Sequence, residues 1–393
     1  MSAAKDRATV MRSDQPAFTI GVEEEYLLVD PSTGELASDK NAQIAVIEAV
    51  GSKVDADVGF CTQEFLRAQV EVGTGVCTSI SQLKDCLRQL RSAVGEAAQA
   101  QGLAFIASST HPSAMAREAK HTDAERYSAL ANDLQEVARR MVICGMHVHV
   151  GIDDDEHRID LLGQIAYFLP HLLVLSTSSP FWEGRDTGMK CYRLSVFDEL
   201  PRTGLPERFD SWNDYERHLN ALVKAGTIED SSKIWWDIRP HGTFPTLEMR
   251  VADICTYLND GIAVATLYVC VLGMLQRLRR SNQRWRTYAN MLIDENRWRA
   301  QRYGADEGLI DFGIGSRVAY ADLLEELIEM VLPEAEAYGC VDELLHARTI
   351  LERGTSADLQ RSVYQAKLAE GADDKEALKA VVDWLVEATI ADL

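Results

Sequence analysis

Gly145-Met146-His147-Val148-His149-Val150-Gly151 sets two histidines in strict alternation with apolar residues, inside a β-branched run that begins at Val142. A strand turns successive side chains to opposite faces, so both imidazoles are expected on one side. Two imidazoles aimed into a concave face make a candidate metal or phosphate site. Two core histidines satisfied by hydrogen bonds are the competing reading. What decides between them is whether neighbouring strands bring carboxylates to the same face.

Phe18 to Asp30 reads as such a strand, closed by the turn Pro31-Ser32-Thr33-Gly34. Its parity puts Glu23 and Glu25 on one face and Glu24 and Tyr26 on the other. A buried carboxylate needs a partner or a cation, so the three glutamates imply either an edge strand with one wet face or metal binding by Glu23 and Glu25. Cys61 to Val76 reads as a further strand with Arg67, Gln69 and Glu71 on one face. Glu64 is out of phase with them, and joins Glu71 only if a bulge or the strand's start intervenes. Lys233–His241 and Thr246–Asp253, around Gly242-Thr243-Phe244-Pro245, read as a hairpin with Glu248 and Arg250 on one face.

Between these strands lie helical patterns, among them 41–50, 80–101 capped by Ser79, 124–142, 157–176 and 212–225. Beyond Leu258 the chain is helical to its end. The expected fold is therefore α+β: a curved, mainly antiparallel sheet covered by helices, with a helical C-terminal half. Residues 178–209 are irregular and carry Arg185, Asp186, Thr187, Arg193 and Arg202, which reads as a functional loop or lid. Glu295, Arg299 and Arg302 share a face of a later helix.

Acidic residues outnumber basic ones 61 to 40, a net charge of −21 that repels nucleic acid and anionic membranes as a whole. No run of eighteen apolar residues suggests a membrane span. Eight cysteines are scattered without CxxC spacing, which points to reduced thiols in a cytoplasmic protein. Residues 1–16, polar and without an apolar core, read as a disordered leader, and 17–393 as a single domain.

The strands thus deliver Glu23, Glu25, Glu71, His147, His149, Glu248 and Arg250, with Glu64 open. Hard oxygen ligands favour Mg²⁺ or Mn²⁺ over a thiolate zinc site. Two such ions with arginines around them form a phosphoryl-transfer site, although no Walker A or Rossmann fingerprint is present. Gly-Val-Glu23-Glu-Glu25, Arg67-Ala-Gln69-Val-Glu71, Thr110-His111-Pro112, Arg126-Tyr127, Gly145-Met-His147-Val-His149, Trp236-Asp237-Ile-Arg239-Pro, Glu248-Met-Arg250 and Asn296-Arg-Trp298-Arg-Ala300-Gln-Arg302-Tyr303-Gly304 resemble the glutamate–cysteine ligase type 2 family of bacterial carboxylate–amine ligases. More distantly, the same strands resemble those of glutamine synthetase.

The resemblance implies an ATP-dependent reaction in which a substrate carboxylate, the γ-carboxylate of glutamate, is phosphorylated and then attacked by an amine, cysteine in the named activity. It implies Glu25, Glu71 and, as an option, Glu64 as ligands of one Mg²⁺ (or Mn²⁺), and Glu23, His147 and Glu248 as ligands of another. It places His149 against the nucleotide phosphates, and Arg239 and Arg250 with the transferring phosphoryl group and the substrate carboxylate; Arg193 of the irregular loop and Arg302 are further candidate nucleotide-binding residues. It also implies a homodimer acting on small molecules. A ligase of the same mechanism for another acid or amine stays open. An amidohydrolase is the competing metal enzyme, and a non-catalytic metabolite-binding descendant the third reading.

Overall fold

Seven strands make the sheet that organises the molecule: β1 (Ile20–Val29), β2 (Gly59–Gln63), β3 (Gln69–Thr74), β4 (Ala104–Ile106), β5 (Met146–Gly151), β6 (Ile238–Pro240) and β7 (Thr246–Met249). They are hydrogen-bonded in the order β6-β7-β5-β1-β3-β2, with β4 beside the C-terminal half of β1, and every pairing is antiparallel. The computed structural model describes residues 18–393 except Ser38 and Ala124, so the leader expected over residues 1–16 lies outside the described residues.

Parity then sorts the side chains. Val22, Val70, Val72, Met146, Val148, Val150, Leu247 and Met249 are fully or almost fully buried on the back of the sheet. Against that back lie α1 (Ile80–Ala100) and α2 (Leu258–Arg280). The Ser79 hydroxyl accepts from the amide of Gln82 and starts α1, whose apolar stripe Leu83, Cys86, Leu87, Leu90, Val94, Ala97 is buried throughout. α2 comes closest at Gly261, where a Cβ would stand 3.4 Å from both Glu24 Oε1 and Met146 Sδ. A methyl group there would make ordinary van der Waals contact with both.

Glu24 and Arg91 are the polar exception on this face. Arg91 Nη2 and Nε hold the two Glu24 oxygens at 2.7 and 2.9 Å, the Tyr26 hydroxyl donates to Glu24, and the remaining Arg91 protons reach the carbonyls of Cys255 and Thr256. The middle glutamate of the triplet is thus a structural ion pair, and β1 is a central strand, not an edge.

The C-terminal half is mostly helical, with Tyr320–Tyr338, Val341–Arg353, Ser356–Ala369 and Asp374–Thr389 following α2 and the helix Asn290–Tyr303, but an antiparallel hairpin of Leu309–Asp311 and Ser316–Val318 interrupts the expected helical run. Two segments, Asp155–Ser176 and α2, are long and apolar enough to cross a membrane by length and composition, but 83% and 94% of their apolar windows are buried inside the protein. They are core helices.

Two further readings change. Residues 61–76 are two strands, β2 and β3, joined by a turn at 64–68 that carries no glycine or proline. Tertiary hydrogen bonds hold this turn: Thr122 Oγ1 donates to Glu64 O (2.6 Å), and Gln43 Nε2 donates to Leu66 O (3.1 Å) and Gln69 O (2.6 Å). The 178–209 segment is anchored and is no free lid. The buried Asp253 accepts from Ser178 N and Ser179 Oγ, Asp186 pairs with Arg361, and Arg202 donates to Lys233 O while lying over Trp235.

Candidate active site

The front of the sheet is as polar as its back is apolar. Glu23 pairs in register with His147, Glu25 with Glu71, and His149 with Glu248, which pairs with Arg239 on its other side. These residues form a staggered row over three successive rungs of the ladder on this face, and all but His149 make the floor of a cavity of about 460 Å³, which Glu64, Arg193, His241 and Arg250 also line. A larger cleft of about 1460 Å³ between the Ser32–Ala37 turn and the last helices receives none of the strand carboxylates.

The row gathers into two groups, each with its ligating atoms within 4.8 Å of one another: Glu23, His147 and Glu248, and Glu25, Glu64 and Glu71. In the first, His147 Nδ1 lies 3.2 Å from Glu23 Oε2 and 4.0 Å from Glu248 Oε1. Burial, with the Arg250 charge behind it, pushes the His147 ring down to about 4, so it is neutral at physiological pH with a lone pair to offer. Burial also works to raise Glu248, but the Arg250 and Arg239 charges overcome it and hold the carboxylate well below its usual range. Arg239 Nε donates to Glu248 Oε2 at 2.8 Å, and Arg250 pairs with Glu248 Oε1. Glu23 goes the same way: burial is outweighed by its contacts with His147 and His149, and it stays ionised.

The second group is the electrostatic opposite. Burial and the neighbouring Glu64 push Glu25 up to about 8. Burial and then Glu23, Glu64 and Glu25 push Glu71 well above the carboxylate range. Buried carboxylates that repel one another this strongly call for a cation. The donor set fits one: all oxygen in the second group, two carboxylates and a neutral imidazole in the first, which suits Mg²⁺ or Mn²⁺. A thiolate site does not fit, since burial and Glu71 push the adjacent Cys61 thiol up to about 12.

Glu64 reaches this group because it is not on β3 at all. It follows β2 in the turn, so the parity that separated it from Glu71 does not apply. Arg67 is lost from the face for the same reason: it precedes β3 and pairs with Asp123 outside the cavity. Arg193 is brought in, but buried, with Nη1 and Nη2 each 3.2 Å from Arg250 O and Nη1 3.2 Å from Ala252 O. Arg302 is not brought in; it donates to Gly188 O and stacks on Tyr303 away from the cavity.

Gln69 and Gly145 belong to the site beyond the expected residues. Gln69 Nε2 and the Gly145 amide hold Glu25 Oε2 at 3.0 and 2.8 Å. A Cβ at Gly145 would fall 2.4 Å from Arg193 Nη2. Gln69 was legible in the β3 parity, whereas the Gly145–Arg193 contact has no sequence signature.

Residues 19–383 match the family described as glutamate–cysteine ligase family 2. The chain belongs to that family. It is 57% identical over 379 residues to a provisionally named glutamate–cysteine ligase 2 of Rhodospirillum rubrum, an alignment covering 96% of this chain and 97% of the relative. A counterpart in Paracoccus denitrificans is 45% identical, with coverage of 97% and 100%. Among solved structures, a glutamate–cysteine ligase of Francisella tularensis in complex with AMP superposes with a TM-score of 0.68 at 14% identity, covering 96% of this chain and 90% of that one. A bifunctional glutathione synthetase of Pasteurella multocida gives 0.67 at 14% identity, covering 98% of this chain and 54% of that one. At such identity these structures establish the fold. Family membership makes the protein an ATP-dependent ligase of the carboxylate–amine class.

Proposed function

We propose that this ligase phosphorylates the γ-carboxylate of glutamate with ATP and transfers the resulting acyl group to an amine, with cysteine as the first candidate acceptor. The observation that carries the reading is the pair of acidic groups on one cavity floor, Glu23/His147/Glu248 and Glu25/Glu64/Glu71, with Arg239 and Arg250 beside them. A carboxylate oxygen attacks the γ-phosphorus and ADP leaves. The amine then attacks the acyl carbon, phosphate leaves, and the amine's proton is lost.

In this reading the two groups hold one divalent ion each, Mg²⁺ or Mn²⁺, and such ions neutralise charge on the phosphate oxygens when bound. Arg239 and Arg250 supply fixed positive charge where negative charge builds on the transferring phosphoryl group. Glu248 orients both guanidiniums and is itself kept ionised by them. On the same reading His149, whose Nδ1 is 3.2 Å from Thr246 Oγ1, contacts the phosphates from beside His241. Arg193, on the cavity wall, acts through its hold on the Arg250 and Ala252 carbonyls, and Arg302 has no part in this reading.

An amidohydrolase is disfavoured because its His-x-His pair belongs to a parallel β/α barrel, whereas β5 pairs antiparallel on both sides. The test is a phosphate-release screen of carboxylates against amines, with product mass as the readout. Mg²⁺-dependent ADP formation that needs both glutamate and an amine is expected. ATP consumption independent of any amine, or none with any pair, would remove the proposal.

A further inference from the structure

His241 and His111 are held in the same way and end differently. In His111-Pro112-Ser113-Ala114, Nδ1 accepts the amides of Ser113 (3.2 Å) and Ala114 (3.0 Å), while Nε2 meets the Gly34 carbonyl at 2.9 Å. In His241-Gly242-Thr243-Phe244, the turn between β6 and β7, Nδ1 accepts the amides of Thr243 (3.2 Å) and Phe244 (3.0 Å). A backbone amide only donates, so Nδ1 carries the lone pair and the proton of the neutral ring sits on Nε2. His111 spends that proton on a carbonyl. For His241, no partner for Nε2 exists among the described residues.

The ring is nevertheless fixed. Phe244 stacks on it with centroids 5.0 Å apart and planes 12° apart, and the His241 amide is bonded to Thr246 O at 3.0 Å. Its other side meets His149 edge to face at 5.3 Å, and the His241 ring lines the cavity together with Arg239, Glu248 and Arg250. The turn therefore presents one oriented N–H donor at the end of the cavity that Arg239 and Arg250 line. Donors set in place before the ligand arrives lose little on binding.

We propose that His241 Nε2–H binds the terminal phosphates of the nucleotide beside His149, an inference that rests on the ATP-ligase reading above. The phosphates are favoured over the acid substrate because Arg239 and Arg250 line this end of the cavity, whereas the other end carries Glu25, Glu64 and Glu71.

The test is calorimetric titration of the full chain in Mg²⁺ with a non-hydrolysable ATP analogue and, separately, with AMP. In His241→Asn the side-chain oxygen still accepts the turn amides but no donor reaches the Nε2 position. In His241→Gln the amide nitrogen does reach it. The asparagine variant is expected to bind the analogue about ten-fold more weakly, the size of one hydrogen bond to a charged group, with AMP unchanged. The glutamine variant is expected to regain at least part of that loss. Wild-type affinity for the analogue in His241→Asn, or an equal loss for AMP, overturns the assignment while leaving the ligase reading intact. No binding of the analogue by the wild-type protein overturns both.

Discussion

Glu25 and Glu71 stand directly opposite each other across the β1–β3 ladder, and Glu64 closes the same group from the turn. Like charges at opposed positions destabilise a sheet, by roughly 0.2–1 kcal/mol for an ordinary pair. Without metal and at about pH 9, above the point where Glu25 ionises, Glu71→Gln is expected to raise the melting temperature by about 2 °C, as the repulsion across the ladder is relieved. The same variant is expected to lose most of the stabilisation that Mg²⁺ gives the wild type. Thermal melts with and without Mg²⁺ check both halves, and an undiminished Mg²⁺ shift would move the ion elsewhere.

The same repulsion fixes a pH dependence. Glu25 is raised from an ordinary 4.5 to about 8, so the folded protein holds this proton more tightly than the unfolded chain. Its contribution to stability is complete below about pH 4.5 and is lost as pH rises through about 8. Glu71, raised by the same causes, acts with the same sign. The metal-free protein is expected to melt at steadily lower temperature from about pH 5 to about pH 8.5. Saturating Mg²⁺ is expected to flatten that slope, because the ion prefers the ionised carboxylates. A flat metal-free profile would contradict the assignment.

On the back of the sheet the Glu24–Arg91 pair makes a different demand. Both side chains are fully buried, so removing one partner strands a charge in the core. Arg91→Met is expected to cost about 3–5 kcal/mol in urea unfolding. The double variant Glu24→Leu/Arg91→Met is expected to recover most of it, since no buried charge remains. A double variant no more stable than the single one would show that shape complementarity, not charge, governs this contact.

How much of this could be read beforehand depends on what each residue relies on. Glu23, Glu25, His147, His149 and Glu248 lie on regular strands whose period of two is written in the sequence, and all five fall on the expected face. Glu64 stays open in the sequence and Arg67 is misplaced there because the β2–β3 turn contains neither glycine nor proline. Its shape comes from Gln43 and Thr122, distant in the chain. The 178–209 segment reads as a functional loop or lid because it is irregular and rich in glycine and proline, yet the buried Asp253 ties down Ser178, Ser179 and Cys191 from 62 to 75 residues away. Arg302 shares a helix face with Arg299, but sequence spacing cannot say what that face meets, and it meets Gly188. The Glu24–Arg91 pair was legible only as a parity oddity, since nothing local names the helix that answers it.

Arg193 carries the last expectation, and its burial alters what the sequence suggested. As a loop arginine it is expected to contact the nucleotide or the acid substrate, and its loss to raise KM for one of them. In the structure its guanidinium holds the carbonyls of Arg250 and Ala252 and lies against Gly145, whose amide holds Glu25. It therefore positions Arg250 and Glu25. Arg193→Ala is expected to lower kcat by about 10–100-fold, the usual effect of losing a group that orients a ligand, while KM for ATP changes by less than about three-fold. Gly145→Ala should reproduce that split with Arg193 still present, because the new Cβ would fall 2.4 Å from Nη2 and displace the guanidinium. Steady-state kinetics on both variants checks this. A rise confined to KM for ATP in Arg193→Ala would restore the direct contact and take away the positioning role.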